Sequence, residues 1–361
     1  MRTALLVALC TVVTADLKVC STSESYGRDV VQAFRPAPEN DTLTAVPGIK
    51  VGHQTMTGRP TGCTVVLVEG GATAGVDVRG AAPATAETDL LKPVDSVQQI
   101  FAVSLSGSSA FGLDARSGVM KYLDGKNIGY KTYAGTVNVP IVPAASLIDL
   151  NVGDSKIHVD ADCGYRAAQA ATTLPVVEGN AGAGAGATVG KTGGFERAMK
   201  GGVGSAAIRL ADGLIVAALV AVNAAGDVID PATGTIVAGV RSEDGRSFAD
   251  ARVLLKSGRM RSPRPGENTT LGVVATNATL TKTQASRVAE MAHDGFARAI
   301  YPSHTMGDGD TIFALATAAL GGTADVNLIG ALAAQVIADA VVRAAQHATG
   351  IPGYPAARDL K

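Results

Sequence analysis

No tryptophan occurs among the 361 residues, and only 4% are aromatic, so large rings cannot fill the interior of this protein. The 47% hydrophobic share rests on Ala, Val, Leu and Ile, and with 43 glycines it points to sheets and helices layered at close range. Charge is also scarce. At 17% charged the chain is too apolar for disorder, and its length fits one large domain or two ordinary ones. A formal net charge of -1 gives no electrostatic case for nucleic acid or an anionic membrane as partner. Four cysteines are too few for a disulfide scaffold in so long a chain. Cys10 falls in an apolar leader and Cys20 in a polar arm, while Cys63 and Cys163, among small or apolar neighbours, read as buried thiols. The histidines (His53, His158, His293, His304, His347) are dispersed without an H-E-x-x-H or C-x-x-C partner, so neither a metal site nor a cofactor is expected.

What is present begins with Arg2 and an apolar run from Ala4 to Ala15, ending in the small residues Val13-Thr14-Ala15. Such a run is too short to span a bilayer and suits a signal peptide over 1–15, hence a secreted or periplasmic protein, with a cytoplasmic one as the alternative. Residues 16–45 read as a polar, Pro-containing arm, with order expected from Val46 and no boundary dividing 46–361. Three sequons, at Asn40, Asn268 and Asn277, matter only on a eukaryotic secretory route.

From Val46 onward short apolar runs recur between Gly-rich turns: Thr64 to Val68, Ala74 to Val78, Ile100 to Leu105, Ala206 to Leu210, Leu214 to Val222, Leu271 to Thr276 and Ile312 to Thr317. These predict strands, several buried on both faces. Helical patterning is expected over Ser109 to Leu123, closed by Gly125, and over Asp160 to Ala171. Thr281 and Gln284 have capping-box spacing ahead of the apolar face Val288, Met291, Ala292, Gly295 and Ala299. A last helix carries Leu328, Ile329, Leu332, Val336, Ile337, Ala340, Val341 and Ala344 on one face, with Gly350 and Pro352 beyond it. Strands alternating with helices imply sheets stacked between helix layers. The charged, aperiodic stretch from Arg241 to Asn268 is long for a connection and reads as a functional loop.

Four motifs bear on chemistry. Thr269 and Thr270 stand at the mouth of the apolar run Leu271 to Thr276, after the Pro-spaced approach Arg261 to Gly266. A cut between Asn268 and Thr269 would create a terminal threonine whose own amine, with a pKa of about 7.7 to 8.0, serves as base for its own hydroxyl. The plain alternative is a strand start with hydroxyls bonded to the loop. The Gly179 to Lys191 run misses a Walker A loop, because position 185 is Ala, and matches a dinucleotide pattern only loosely. Its small residues instead let backbone approach a site and deliver Lys191 with amide donors, or else form a flexible surface loop. Asn223, ending the run Leu214 to Val222, is either a turn former or an oxyanion donor. Asp308 and Asp310, with Gly309 between them, are a turn pair or an acid cluster able to orient an ammonium.

Together these motifs resemble the L-aminopeptidase/D-amidase-esterase family, whose relatives include the β-aminopeptidases and the endo-acting nylon oligomer hydrolase. The resemblance runs from about Pro47 to Val342. It is carried by Gly48 to His53, Ser106 to Ala115, Gly184 to Lys191, Asn268-Thr269-Thr270 and Asp308 to Thr311 in that order. It implies an α/β fold, a four-layer alpha-beta-beta-alpha sandwich of N-terminal-nucleophile type. It also implies self-cleavage into a large chain to Asn268 and a small chain from Thr269, assembled as homo-oligomers, a tetramer of cleaved pairs. By resemblance Thr269 would be the nucleophile, Asn223 the oxyanion amide, Lys191 the site lysine, and Asp308 with Asp310 the acidic pair. The implied activity is an aminopeptidase acting on peptides and amino acid amides or esters, β- and D-residues included. Alternatives are an endo-hydrolase of linear ω-amino acid oligomers, an ornithine-acetyltransferase-like acyltransferase, and a non-enzymatic binding protein. Aminopeptidase relatives carry a serine nucleophile, with serine and glutamate in place of the two aspartates, so Thr269 with Asp308 and Asp310 is closer to the nylon-hydrolase branch. Ile148 stands where relatives often place a tyrosine, and it cannot supply that hydroxyl.

Overall fold

The computed structural model describes residues 40–261, 264, 266–322 and 325–360, so the expected signal peptide, Cys10, Cys20 and most of the arm lie outside the described residues. The principal strands are β1 (Lys50–Thr55), β2 (Gly62–Val78), β3 (Ile100–Ser106), β4 (Ala144–Ser146), β5 (Gly202–Arg209), β6 (Ile215–Asn223), β7 (Thr269–Thr276) and β8 (Thr311–Ala316). The principal helices are α1 (Ala115–Asp124), α2 (Ala161–Gln169), α3 (Lys282–Ala299) and α4 (Val326–His347).

Thr64 to Val68 and Ala74 to Val78, two runs in the sequence, are the two halves of one strand. Pairing along β2 shifts register between Leu67 and Ala72, where Gly71 takes a φ of +82°, and the strand there passes from one sheet to the other. Its first half pairs with β1 and β3, and β3 continues to β4. Its second half pairs with β8, from which the order runs through β7 and β6 to β5.

Alternation along the strands then assigns every face. Val66, Val68, Val103 and Leu105 of one sheet meet Leu219, Leu271, Val273 and Phe313 of the other in an inter-sheet core. The outward residues Val65 and Leu67 pack on Val119, Leu123 and Ala167 of α1 and α2. On the far side Val220, Val274 and Ile312 pack on Phe296, Ile337 and Val341 of α3 and α4. The result is the expected helix, sheet, sheet, helix stack.

Local signals set the helix ends. Thr281 Oγ1 accepts from Gln284 N at 3.2 Å while Gln284 Oε1 accepts from Thr281 N at 2.9 Å, the capping box read in the sequence. Asp160 caps α2 by accepting from Cys163 N at 3.0 Å. Helix α4 is long and apolar enough to cross a membrane by composition, but most of it is buried against β5, β6 and α3, with Leu328 at the solvent edge.

Two expectations are corrected. The folded unit reaches back to Asn40, because Leu43 and Val46 are fully buried and Leu43 N donates to Ser205 Oγ at 2.8 Å; polar spacing had masked these anchors. Cys63 and Cys163 are a disulfide between β2 and α2, with Cα atoms 6.2 Å apart. Their separation of 100 residues in sequence gives no hint that α2 packs on the outer face of β2.

The glycine content is explained by how closely the layers approach. A Cβ on Gly204 of β5 would lie 2.0 Å from the Ala340 carbonyl oxygen and 2.4 Å from Ala344 N, both backbone of α4. Gly204→Ala is expected to lower unfolding free energy by about 2–3 kcal/mol, measured by urea denaturation, because helix and sheet must separate to admit the methyl group. Unchanged stability would show that this contact yields freely.

Candidate active site

Thr269 is the first residue of β7, the strand held between β6 and β8. On one side the antiparallel register places Asn223, the last residue of β6, directly opposite it. On the other side the turn before the parallel strand β8 brings Asp308 beside Asn268 as an isolated parallel bridge. Sheet order thus collects residues 223, 268, 269, 308 and 310 from distant parts of the chain.

The Asn268-Thr269 peptide is gripped from both sides of Asp308. Asn268 N donates to the Gly307 carbonyl at 3.1 Å, and the Asn268 carbonyl accepts Gly309 N–H at 3.0 Å. That same carbonyl accepts the Thr269 hydroxyl at 2.5 Å. Gly309 has no room for a side chain, since a Cβ there would sit 2.7 Å from Thr269 Oγ1. Thr270 N donates to Asp310 Oδ1 at 2.7 Å, tying the strand start to the second acid.

The Gly-Ala run delivers its lysine and an amide as expected. Gly190 takes a φ of +70°, and a Cβ there would meet Gly239 C at 2.1 Å. Beyond it, Lys191 Nζ donates to Asn223 Oδ1 at 2.9 Å and to the Asn223 carbonyl at 3.1 Å. Thr188 N also donates to Asn223 Oδ1, at 3.0 Å. With its oxygen thus fixed, the amide nitrogen of Asn223 is oriented, and it donates to the Ile148 carbonyl at 2.8 Å. Ile148 therefore contributes backbone to the site where a hydroxyl was sought. It is held by its neighbour Asp149, which is buried, paired to Arg59, and accepts from Thr61 Oγ1 at 2.7 Å.

Burial shapes the electrostatics. Lys191, 3% exposed, has its pKa lowered to about 7 by desolvation, against the pull of Asp308, Glu267, Asp149 and Asp310. Asp308 is pushed up to about 6, first by desolvation and then by the charge of Asp310. Burial thus brings a lysine and an acid to neighbouring values close to neutrality, which suits proton transfer better than fixed charge.

All five expected residues, Thr269, Asn223, Lys191, Asp308 and Asp310, converge on the Asn268-Thr269 bond. Among them Lys191 lies directly on Asn223. Three groups were missed. His304 Nδ1 lies 2.8 Å from Asp310 Oδ2. The Gly309 N–H is backbone and carries no side-chain signal. Lys200, fully buried and lowered to about 7 by desolvation, donates to the carbonyls of Gly184 (2.7 Å), Ala187 (3.0 Å) and Gly201 (2.8 Å), pinning the Gly-Ala run from beneath. Among the described residues no group of three or more His, Cys, Asp or Glu could hold a metal ion.

A hydroxyl residue at the mouth of a central strand in a four-layer sandwich belongs to the N-terminal-nucleophile hydrolase class of fold. Accordingly the structure matches the L-aminopeptidase D-Ala-esterase/amidase of Ochrobactrum anthropi, described as a variant of that fold, with a TM-score of 0.62. That match has 21% identity over 87% of this chain and 89% of the other. The chain belongs to peptidase family S58, whose model matches residues 41–358, and it is a peptidase of aminopeptidase type. An uncharacterized aminopeptidase of Mycobacterium leprae is 41% identical over 88% of this chain and 94% of its own. A 6-aminohexanoate-oligomer endohydrolase of Kocuria sp. is 29% identical over 83% of this chain and 84% of its own.

The buried acid sets a pH dependence. Because the folded value for Asp308, about 6, lies above the ordinary 3.8, its contribution to stability is full below about pH 3.8 and is lost as pH rises through 6. Lys191 runs the other way: its contribution is full above about pH 10.5 and is lost as pH falls through 7. Asp308→Asn, which keeps the acceptor for Thr305 N, is expected to remove up to about 3 kcal/mol of the stability difference between pH 4 and pH 8. Urea titrations at the two pH values measure this, and an unchanged difference would mean that Asp308 is ionised throughout.

Proposed function

We infer that the chain is a self-cleaving amide hydrolase in which Thr269 is first the residue that cuts and then the catalytic N-terminus. One observation carries the reading. The Thr269 hydroxyl sits 2.5 Å from the oxygen of the carbonyl it would attack, and the Gly309 N–H already donates to that oxygen. Thr269 Oγ attacks the Asn268 carbonyl carbon, the peptide C–N bond breaks as the nitrogen takes a proton, and an ester joins Asn268 to Thr269. Water hydrolyses the ester, leaving the Asn268 carboxylate and a free Thr269 amine.

In turnover that amine takes the proton from its own hydroxyl, which attacks the substrate amide carbon; the substrate C–N bond breaks as its nitrogen takes that proton and leaves as an amine, and water then hydrolyses the ester on Thr269. Asn223, with one N–H on Ile148, offers the other to the developing oxyanion. Lys191 fixes the Asn223 oxygen and, when charged, disfavours a second ammonium nearby, keeping the Thr269 amine unprotonated. Asp308 and Asp310 attract the ammonium of a peptide or amino acid amide, which is the aminopeptidase reading. A second reading, endo-hydrolysis of ω-amino acid oligomers, is favoured by the two aspartates and the threonine, with the Kocuria relative as parallel. A panel of α-, β- and D-amino acid amides beside a linear 6-aminohexanoate oligomer separates the two by which is turned over.

Export is part of the proposal. The apolar run Ala4 to Ala15 and the Cys63–Cys163 disulfide both fit an oxidising compartment, and the N-terminus of protein recovered outside the cytoplasm tests this. The cleaved pairs are further proposed to assemble as a homo-oligomer, for which sedimentation gives the answer.

On a denaturing gel the wild type is expected as two bands, the smaller beginning at Thr269, while Thr269→Ala leaves one uncut, inactive band. Asn223→Ala is expected to slow turnover about 10²–10³-fold. An active wild type whose intact mass shows only uncut chain would refute the reading.

A further inference from the structure

The acidic pair is asymmetric in a way that the reaction above leaves unexplained. Asp310 receives three N–H donors: Thr270 N at 2.7 Å on Oδ1, and His304 N at 3.1 Å with His304 Nδ1 at 2.8 Å on Oδ2. Asp308 is held by one residue, Thr305, through its backbone N at 2.6 Å and its side chain. Two buried carboxylates this close do not both ionise readily, so donors decide where the charge resides. A carboxylate only accepts, so His304 Nδ1 must be the donating nitrogen.

His304 is itself held with unusual care. It takes a φ of +56°, a left-handed backbone that is uncommon outside glycine. Its ring meets His293 of α3 edge-on at 4.9 Å and lies 6.2 Å from Phe296. His293 Nε2 is 3.0 Å from the Asp77 carbonyl at the end of β2. His304 Nε2 and His293 Nδ1 are both buried without a partner. Backbone strain and two unpartnered ring nitrogens are costs that a mere space-filler would not require, and such costs gather at functional sites.

We propose that His304 is a positioning residue for the proposed cleavage and turnover: its backbone N–H and ring Nδ1 together hold Asp310 Oδ2, so that Asp310 stays aimed at the start of β7 and Asp308 is left as the acid free to exchange a proton. This deepens the function inferred above and rests on it. Asp310 then anchors Thr270 N and thereby the stance of Thr269, while Asp308, bridged to Asn268, is the member that exchanges a proton. The titratable groups facing this arrangement are Asp308 and Asp310 on the same turn, His293 on α3, Asp77 and Arg79 at the end of β2, and Lys191 across Asp308. His293, held near 4 mainly by burial, stays neutral over the working range.

The test compares His304→Gly with His304→Asn in the full chain. Both residues accept the left-handed φ, and only asparagine retains a donor where Nδ1 stands. In His304→Gly, self-cleavage and kcat per folded molecule should fall at least tenfold with KM within about twofold. The acid limb of the pH–kcat profile should move, because the turn that carries Asp308 loses the donor that seats Asp310. In His304→Asn rates should stay within about threefold of wild type, and added imidazole should restore part of the His304→Gly loss. An acid limb and kcat in His304→Gly equal to wild type would overturn the inference while leaving self-cleavage intact. A wild type that never cuts would instead sink the function reading. If both variants are folded yet equally slow, the hydrogen bond to Asp310 is not what His304 supplies, and the inference fails.

Discussion

The constraint on which the site depends is the seating of β7 between β6 and β8, with its first peptide bond pinched by backbone from the neighbouring turn. A central strand has no freedom to shift, because its ladder bonds are satisfied on both sides and its faces are packed in two cores. The Asn268-Thr269 bond emerges from that fixed strand into the grip of Gly307 and Gly309. Preorganisation is therefore a consequence of sheet topology, requiring no flexible side chain to find its place.

Buried polar groups are expensive, and this structure concentrates them where they restrain one another. Lys200 secures the Gly-Ala run from below, Thr188 and Lys191 secure the oxygen of Asn223, and Arg59 with Asp149 secures the segment that receives its nitrogen. These groups hydrogen-bond one another at the edge of a core made of small aliphatic side chains, which fixes their orientation. The scarcity of aromatics belongs to the same design. Where a helix lies on a sheet as closely as α4 does over Gly204, there is room for neither a ring nor even a methyl group.

The family gives the reaction type, that of a peptidase. Sequence pattern located the strands, the capped helices and the five site residues because each depends on local chemistry: alternation, a hydroxyl before a buried run, an amide at a strand end, paired acids around glycine. It divided β2 in two because glycines that mark a bend between sheets look like a turn. It placed the fold's beginning too late because Leu43 lies among polar residues.

By itself, then, the sequence determined the layered α/β class and singled out the Asn268-Thr269 dipeptide and the polar side chains around it as candidates, since these are written in residue type and near-neighbour spacing. Only the tertiary structure decided that Cys63 meets Cys163, that Lys191 addresses Asn223 and that His304 stands behind Asp310. Those pairings join segments with no local signal connecting them, and the close packing of two sheets and four helices selects them.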